Sequence, residues 1–182
     1  MLTANEILKR IQLGTIKIDP FNENNLNPNS YDLTLSKYIS HYTKNLELDV
    51  VKFGVPIPGL IPTDGIVLKP GILYLGCTQE YTESLTCIPM INGRSSLARL
   101  GISVHQTGGF GDIGFCGNWT LEITVVQPVK IYPGIKFAQL CWFEPTGIVD
   151  KLYEGKYQNS KSTVPIGSKI YNELSIINKG EF

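Results

Sequence analysis

Residues 118–125 read NWTLEITV, and their alternation decides what kind of fold the chain can adopt. Successive side chains of an extended segment point to opposite sides, so Trp119, Leu121, Ile123 and Val125 share one face and Thr120, Glu122 and Thr124 share the other. The apolar face requires a core beneath it. The opposite face carries a carboxylate, Glu122, away from that core. Against open water Glu122 is an ordinary surface residue; in a closed cleft, desolvation would raise its pKa toward the range useful for general acid/base work.

The same pattern repeats outward in both directions. SYDLTL (30–35) places Tyr31, Leu33 and Leu35 on one face, as expected of a half-buried strand. Short runs rich in valine, isoleucine and aromatics continue to about Phe143, separated by the breaks IPGLIPTDG, LKPG, TGGFGDIGFCG and YPG. This cadence predicts an all-β sandwich or barrel in a single domain spanning 1–182. Two helical pieces interrupt it. Thr3 and Glu6 form a T-x-x-E capping-box pattern ahead of an Ile7, Leu8 and Ile11 stripe, and Gly14 supplies a stop. Ser95 and Ser96 open a brief turn before Leu97, Ala98 and Arg99. The tail from 150 to 182 is polar and without a sustained period, and reads as a mobile arm or a disordered terminus.

Composition narrows the partners. Lysine plus arginine equals aspartate plus glutamate at 16 each in 182 residues, so the chain lacks the basic field common to nucleic-acid binders, and any anion site must be local. No apolar run reaches membrane-span length, and the N-terminal residues carry charges where a signal peptide needs an apolar core. A cytoplasmic protein with no membrane or nucleic-acid partner is expected. The four cysteines, Cys77, Cys87, Cys116 and Cys141, show no metal-ligand spacing with His41 or His105, so reduced, mostly buried thiols and no protein-held metal are expected. In particular, the H-x-E and P-C-x-x-C pattern of zinc-dependent deaminases is absent.

A local anion site is visible in GRSSLARLG (93–101), which holds two of the chain's three arginines. Free N–H groups at the start of a helical turn, bracketed by Arg94 and Arg99, suit phosphate, because guanidinium offers a planar fork matched to phosphate oxygens. The plain alternative is a serine-capped surface turn with solvated arginines. In HQTGGFGDIGFCG (105–117), closely spaced glycines let the backbone fold tightly against a flat ligand. Asp112 sits inside that hairpin, where the plain reading is a turn aspartate bonding its own backbone.

Together these blocks resemble the dCTP deaminase branch of the dUTPase superfamily. The resemblance runs through ILKRIQLGTIKIDP, LNPNSYDLTL, GRSSLARLG, VHQTGG, GDIGFCGNWTLEI, PGIKFAQL and YEGKYQ, in matching order. It implies a distorted jelly roll, the dUTPase-like β-clip, assembled as a homotrimer with sites between subunits. It implies that Arg94, Ser95, Ser96 and Arg99, with Leu97 and Ala98 between them, hold a triphosphate carrying Mg2+, and that Thr120, Leu121 and Glu122 read cytosine. Asp112 would lie near the deoxyribose, Gln139 would contact the nucleotide, and Tyr153, Lys156 and Gln158 would do so from an arm closing over it. Glu122 would be the acid/base, with Ser95, Arg99 and the Gly108 carbonyl positioning the water that attacks C4.

The leading expectation is hydrolysis of dCTP to dUTP and ammonia. The alternatives are a bifunctional enzyme giving dUMP and diphosphate, a plain dUTPase, and a nucleotide-binding regulator without turnover. Gly109 resembles the dUMP-forming variants, in which Asp112 would help orient a second water at the α-phosphate. Gly108 and Gly111 depart from the family's usual residues and imply a looser hairpin. Ser160 stands where the family usually has a second glutamine.

Overall fold

A computed structural model describes residues 1–43, 47–52 and 54–173. The chain opens with α1 (Ala4–Gln12), which buries Ile7 and packs Ile11 on the core. Its sequence signals are half realised. Thr3 is the N-cap residue but makes no side-chain capping bond, and Glu6 turns instead to Arg10, whose Nε donates to it at 2.8 Å. An ion pair one helical turn away thus replaces the expected capping box. The stop is as read: Gly14 takes φ +71°, Gly14 N donates to Ile11 O at 3.0 Å and Thr15 N to Arg10 O at 3.0 Å, a left-handed helix end that satisfies the last carbonyls.

Strands dominate the remainder: β1 (Ile16–Asp19), β2 (Leu26–Asn27), β3 (Ser30–His41), β4 (Ile57–Leu60), β5 (Ile66–Leu68), β6 (Tyr74–Ser84), β7 (Ile88–Gly93), β8 (Ile102–Ser103), β9 (Cys116–Val125), β10 (Val129–Ile131) and β11 (Lys136–Phe143). The main sheet runs β7-β11-β3-β6-β9-β8, with β1 on β6 and both β2 and β4 on β3; β5 and β10 form a separate pair. The two longest strands change partners partway. β3 leaves β11 for β4 and β6, and the β3–β6 and β6–β9 registers both shift, between Leu35 and Ile39 and between Cys77 and Tyr81. Such breaks bend a strand and re-aim its side chains, curling one sheet around a core. The mainly β, distorted jelly roll is therefore present, with one N-terminal helix and the short turn α2 (Ser95–Ala98). Among the described residues no helix is long and apolar enough to cross a membrane.

The core gathers the alternating residues predicted for it. Tyr31, Leu33 and Leu35 of β3 are fully buried, as are Leu121 and Ile123 of β9, with Trp142 and Phe137. β3 is more deeply placed than a half-buried strand, because Asp32 on its other face is buried too. The buried indoles satisfy their N–H groups, Trp142 on Ser84 Oγ at 2.7 Å and Trp119 on Thr82 Oγ1 at 2.9 Å. All four cysteines are free; Cys77 and Cys87 are buried, Cys116 and Cys141 only half-buried.

The tail is folded down over its own chain as far as Glu173; residues 174–182 of the expected arm lie outside the described residues. Gln158 is its staple: its Oε1 accepts from Cys116 N at 2.8 Å, and its Nε2 donates to Gly114 O at 2.7 Å and Tyr153 O at 2.8 Å. Beyond it, Asn118 N donates to Ser160 O, Ser36 Oγ to Thr163 O, and Ile166 N to Thr120 Oγ1. Burial pushes the Cys77 thiol up to about 12, so it stays protonated and donates to Ser162 O at 3.4 Å.

Candidate active site

Glu122 sits near the end of β9 on the face opposite Leu121 and Ile123. Its backbone N donates to Val104 O at 3.0 Å, extending the short β8–β9 pairing, so the chain after β8 runs beside it. That geometry brings Gln106 N to 2.9 Å from Glu122 Oε2, and the Gln106 side-chain amide reaches Thr124 Oγ1 at 3.1 Å. One carboxylate oxygen is therefore held by a main-chain donor. The other, Oε1, accepts no hydrogen bond from the described residues.

The carboxylate lines a cavity of about 610 Å³, within the usual range for small-molecule sites. Of the residues predicted from sequence, Gly108, Asp112, Thr120, Glu122 and Tyr153 line it together. Gln106, His105, Phe115, Trp119 and Tyr157 also line it and were not singled out. Gln106 lies in the VHQTGG block and Tyr157 in YEGKYQ, so the motifs contained them. Nothing in a strand pattern indicates that a glutamine N–H will reach a carboxylate sixteen positions away.

The glycine hairpin is tighter than expected. Ile91 N donates to Gly109 O at 2.7 Å and Gly111 N to Pro89 O at 2.8 Å, so residues 109–111 lie along the edge of β7. A β-carbon at Gly109 would fall 1.6 Å from Ile91 O, and one at Gly111 would fall 2.4 Å from the Trp119 ring. Close approach of backbone to backbone is what the missing side chains permit. The two departures at 108 and 111 thus leave a hairpin fastened to β7, with Trp119 filling the space beside Gly111. Asp112 is exposed and makes no side-chain hydrogen bond within the turn; its carbonyl accepts from Phe115 N at 3.1 Å.

The remaining predicted residues do not reach this cavity. Arg94 is the N-cap of α2 without a side-chain capping bond, which also removes the serine cap, and Ser95, Ser96, Ala98 and Arg99 are exposed while Leu97 packs on the core. Arg94 Nε lies 3.2 Å from Asp32 Oδ1, and Gln139 Nε2 donates to the same oxygen at 3.4 Å. Leu121 is buried in the core, paired with Gly76 of β6, and does not line the cavity. Lys156 pairs with Glu173, whose hydrogen bond raises the lysine's pKa, and the Gln158 amide is fully engaged in the staple. The chain therefore presents a carboxylate-lined cavity and a separate arginine-serine surface.

Comparison with known proteins identifies the family. Residues 1–144 match the model of the family described as dCTP deaminase-like. Curated relatives named dCTP deaminase, dUMP-forming, include those of Cytophaga hutchinsonii, 47% identical over 90% of this chain and 93% of that protein, and Clostridium acetobutylicum, 47% identical over 96% and 99%. A third, from Leptospira biflexa, is 45% identical over 96% of this chain and 98% of its own. The crystal structure of 2'-deoxycytidine 5'-triphosphate deaminase from Agrobacterium tumefaciens shares the fold, with TM-score 0.62 at 17% identity over 82% of this chain; the match spans 49% of that longer chain. The chain belongs to the dCTP deaminase-like family.

Proposed function

We propose that the protein is a bifunctional dCTP deaminase that converts dCTP and two waters to dUMP, ammonia and diphosphate. The observation that carries this reading is the joint presence of Glu122 and Asp112 in one cavity, with Gly109 holding the second carboxylate's hairpin against β7. The names of the relatives favour this dUMP-forming version over release of dUTP, which the sequence motifs had put first.

In the first step Glu122 takes a proton from a water at C4 of cytosine. It passes that proton to N3 as the water oxygen bonds to C4, then takes the proton of the new C4 hydroxyl and hands it to the amine, so the C4–N4 bond breaks as the C4=O double bond forms and ammonia leaves. The hydrogen bond from Gln106 N fixes the carboxylate's direction and leaves Oε1 for this exchange. In the second step Asp112 orients a water toward the α-phosphate, and the bond to the β-phosphate breaks. Thr120 reads the base from the same strand, and Tyr153 closes the cavity from the arm.

The separation of the Arg94, Ser95, Ser96 and Arg99 surface from the Glu122 cavity supports a site completed by a neighbouring copy, as a homotrimer would arrange it. Mg2+ fits as a companion of the triphosphate, whose oxygens are hard ligands; it would neutralise phosphate charge there. Among the described residues no three His, Cys, Asp or Glu side chains gather into a metal-holding group.

A time course of ammonia, dUTP and dUMP from dCTP with magnesium tests the reading. dUMP and diphosphate appearing with ammonia support it. Accumulating dUTP reduces the protein to a deaminase, cleavage of dUTP with untouched dCTP makes it a dUTPase, and binding without turnover makes it a regulator. Glu122→Gln is expected to keep dCTP binding while lowering ammonia release by about 10²–10⁴-fold.

A further inference from the structure

A charged cluster at the arginine-serine surface joins Arg94 to two residues, Asp32 and Lys136, that have no part in the steps above. Asp32 of β3 has a side chain only 1% exposed, yet it faces two cations: Arg94 Nε at 3.2 Å and Lys136 Nζ at 3.4 Å, one on each carboxylate oxygen. Both cations are about one-third exposed, at 30% and 35%, so each has one side toward the carboxylate and another toward the surface. They are also joined through the backbone, with Arg94 Nη1 donating to Lys136 O at 3.3 Å. Gln139, the register partner of Asp32 on β11, completes the set on Asp32 Oδ1.

Donor counting shows unused capacity. An ammonium carries three N–H bonds, and Lys136 donates one, to Asn24 O at 2.6 Å, with Asp32 Oδ2 at ion-pair distance. A guanidinium carries five, and Arg94 donates one, from Nη1 to Lys136 O; its buried Nε lies at ion-pair distance from Asp32 Oδ1 without a hydrogen bond. Two positive charges against one buried negative charge leave a surplus at the surface next to Ser95 and Arg99.

We propose that Lys136 is a further phosphate-binding residue for the nucleotide, and that Asp32 is the positioning residue that holds Lys136 and Arg94 side by side. The proposal rests on the nucleotide reading above. A compact ammonium beside a guanidinium fork suits a polyphosphate with several oxygens, where the fork fixes orientation and the ammonium adds charge. A buried carboxylate anchors both without competing for them in solution.

The test uses the full-length protein and inorganic tripolyphosphate, a phosphate chain without sugar or base, titrated by calorimetry alongside kinetics with dCTP and magnesium. Lys136→Met is expected to weaken tripolyphosphate about tenfold and raise KM for dCTP by a similar factor while kcat moves less than about twofold, with Lys136→Arg restoring most of both. Asp32→Asn separates two roles by sign. Removing a negative charge next to an anion site tightens tripolyphosphate if Asp32 only subtracts charge, and weakens it if Asp32 places the cations. Weaker binding supports the proposal, and tighter binding overturns Asp32's part. Unchanged affinity and KM in Lys136→Met, or no binding of tripolyphosphate by the wild type, overturns Lys136's part. Should Asp32→Asn not fold, the Met and Arg variants at 136 still decide. A wild type that binds tripolyphosphate but releases no ammonia from dCTP defeats the nucleotide reading alone.

Discussion

Glu80 and Glu122 are carboxylates on neighbouring strands, and the fold treats them differently. Glu122 keeps an open side toward a cavity, whereas Glu80 is 3% exposed and accepts both Thr34 N and Thr34 Oγ1 at 2.8 Å, beside the register shift in β6. Its side chain supplies acceptors where the two strands lose step. Burial raises its carboxyl pKa, outweighing the hydrogen bonds from Thr34 and from its own backbone that pull it down. The sign for stability follows. A folded pKa above the unfolded one means the native state holds the proton more tightly, so this contribution is complete below the unfolded value and is lost as pH climbs through the folded one. Glu80→Gln removes the ionisation. Thermal unfolding across an acid-to-neutral pH series is therefore expected to show the variant gaining on the wild type as pH rises; parallel curves would count against a raised pKa. None of this was legible beforehand, since a strand pattern says which face a glutamate takes but not that a bulge will bury it.

Strand by strand, the alternation in NWTLEITV and SYDLTL identified the right core residues because period two is imposed by the backbone itself. The α1 stop was readable for the same local reason, a glycine where only φ > 0 fits. Its start was not, because Glu6 had a competing partner in Arg10 that a capping rule ignores. The arm is the element that sequence described least well. Its order comes from Gln158 and from hydrogen-bond partners on β3, β6 and β9, contacts that have no period of their own. Replacing Gln158 with Leu leaves Cys116 N, Gly114 O and Tyr153 O without that partner. Hydrogen exchange at Cys116, Asn118 and Asn159 is expected to accelerate in that variant while the amides of β3 and β11 stay protected. Equal acceleration everywhere would mean that Gln158 supports the whole fold rather than the arm.

Across the whole molecule, the candidate site was legible as a set of residues and illegible as an arrangement. The motifs named Glu122, Thr120, Asp112, Gly108 and Tyr153, which meet in one cavity, and also Arg94, Ser95, Ser96 and Arg99, which do not join them. Residue spacing along one chain carries no information about a second copy. If neighbouring copies complete each site, two defective variants repair one another. Glu122→Gln and Arg99→Ala, each inactive alone, are expected to regain deamination when co-expressed, because a mixed assembly contains sites with both groups intact. A mixture as inactive as its parents, or a protein that elutes as a monomer at working concentration, would restrict the site to one chain.

The contact between Gly109 and the Ile91 carbonyl also bears on how such proteins can diverge. Even a methyl group has nowhere to go at that point, so no larger residue is admitted until β7 itself withdraws. Whatever Asp112 contributes is thus fixed by a distance between two stretches of main chain rather than by the identity of a side chain. Anyone wishing to retune the product must treat strand and hairpin as a single part, and a history of single substitutions at that glycine would be expected to stall before it reached a different outcome.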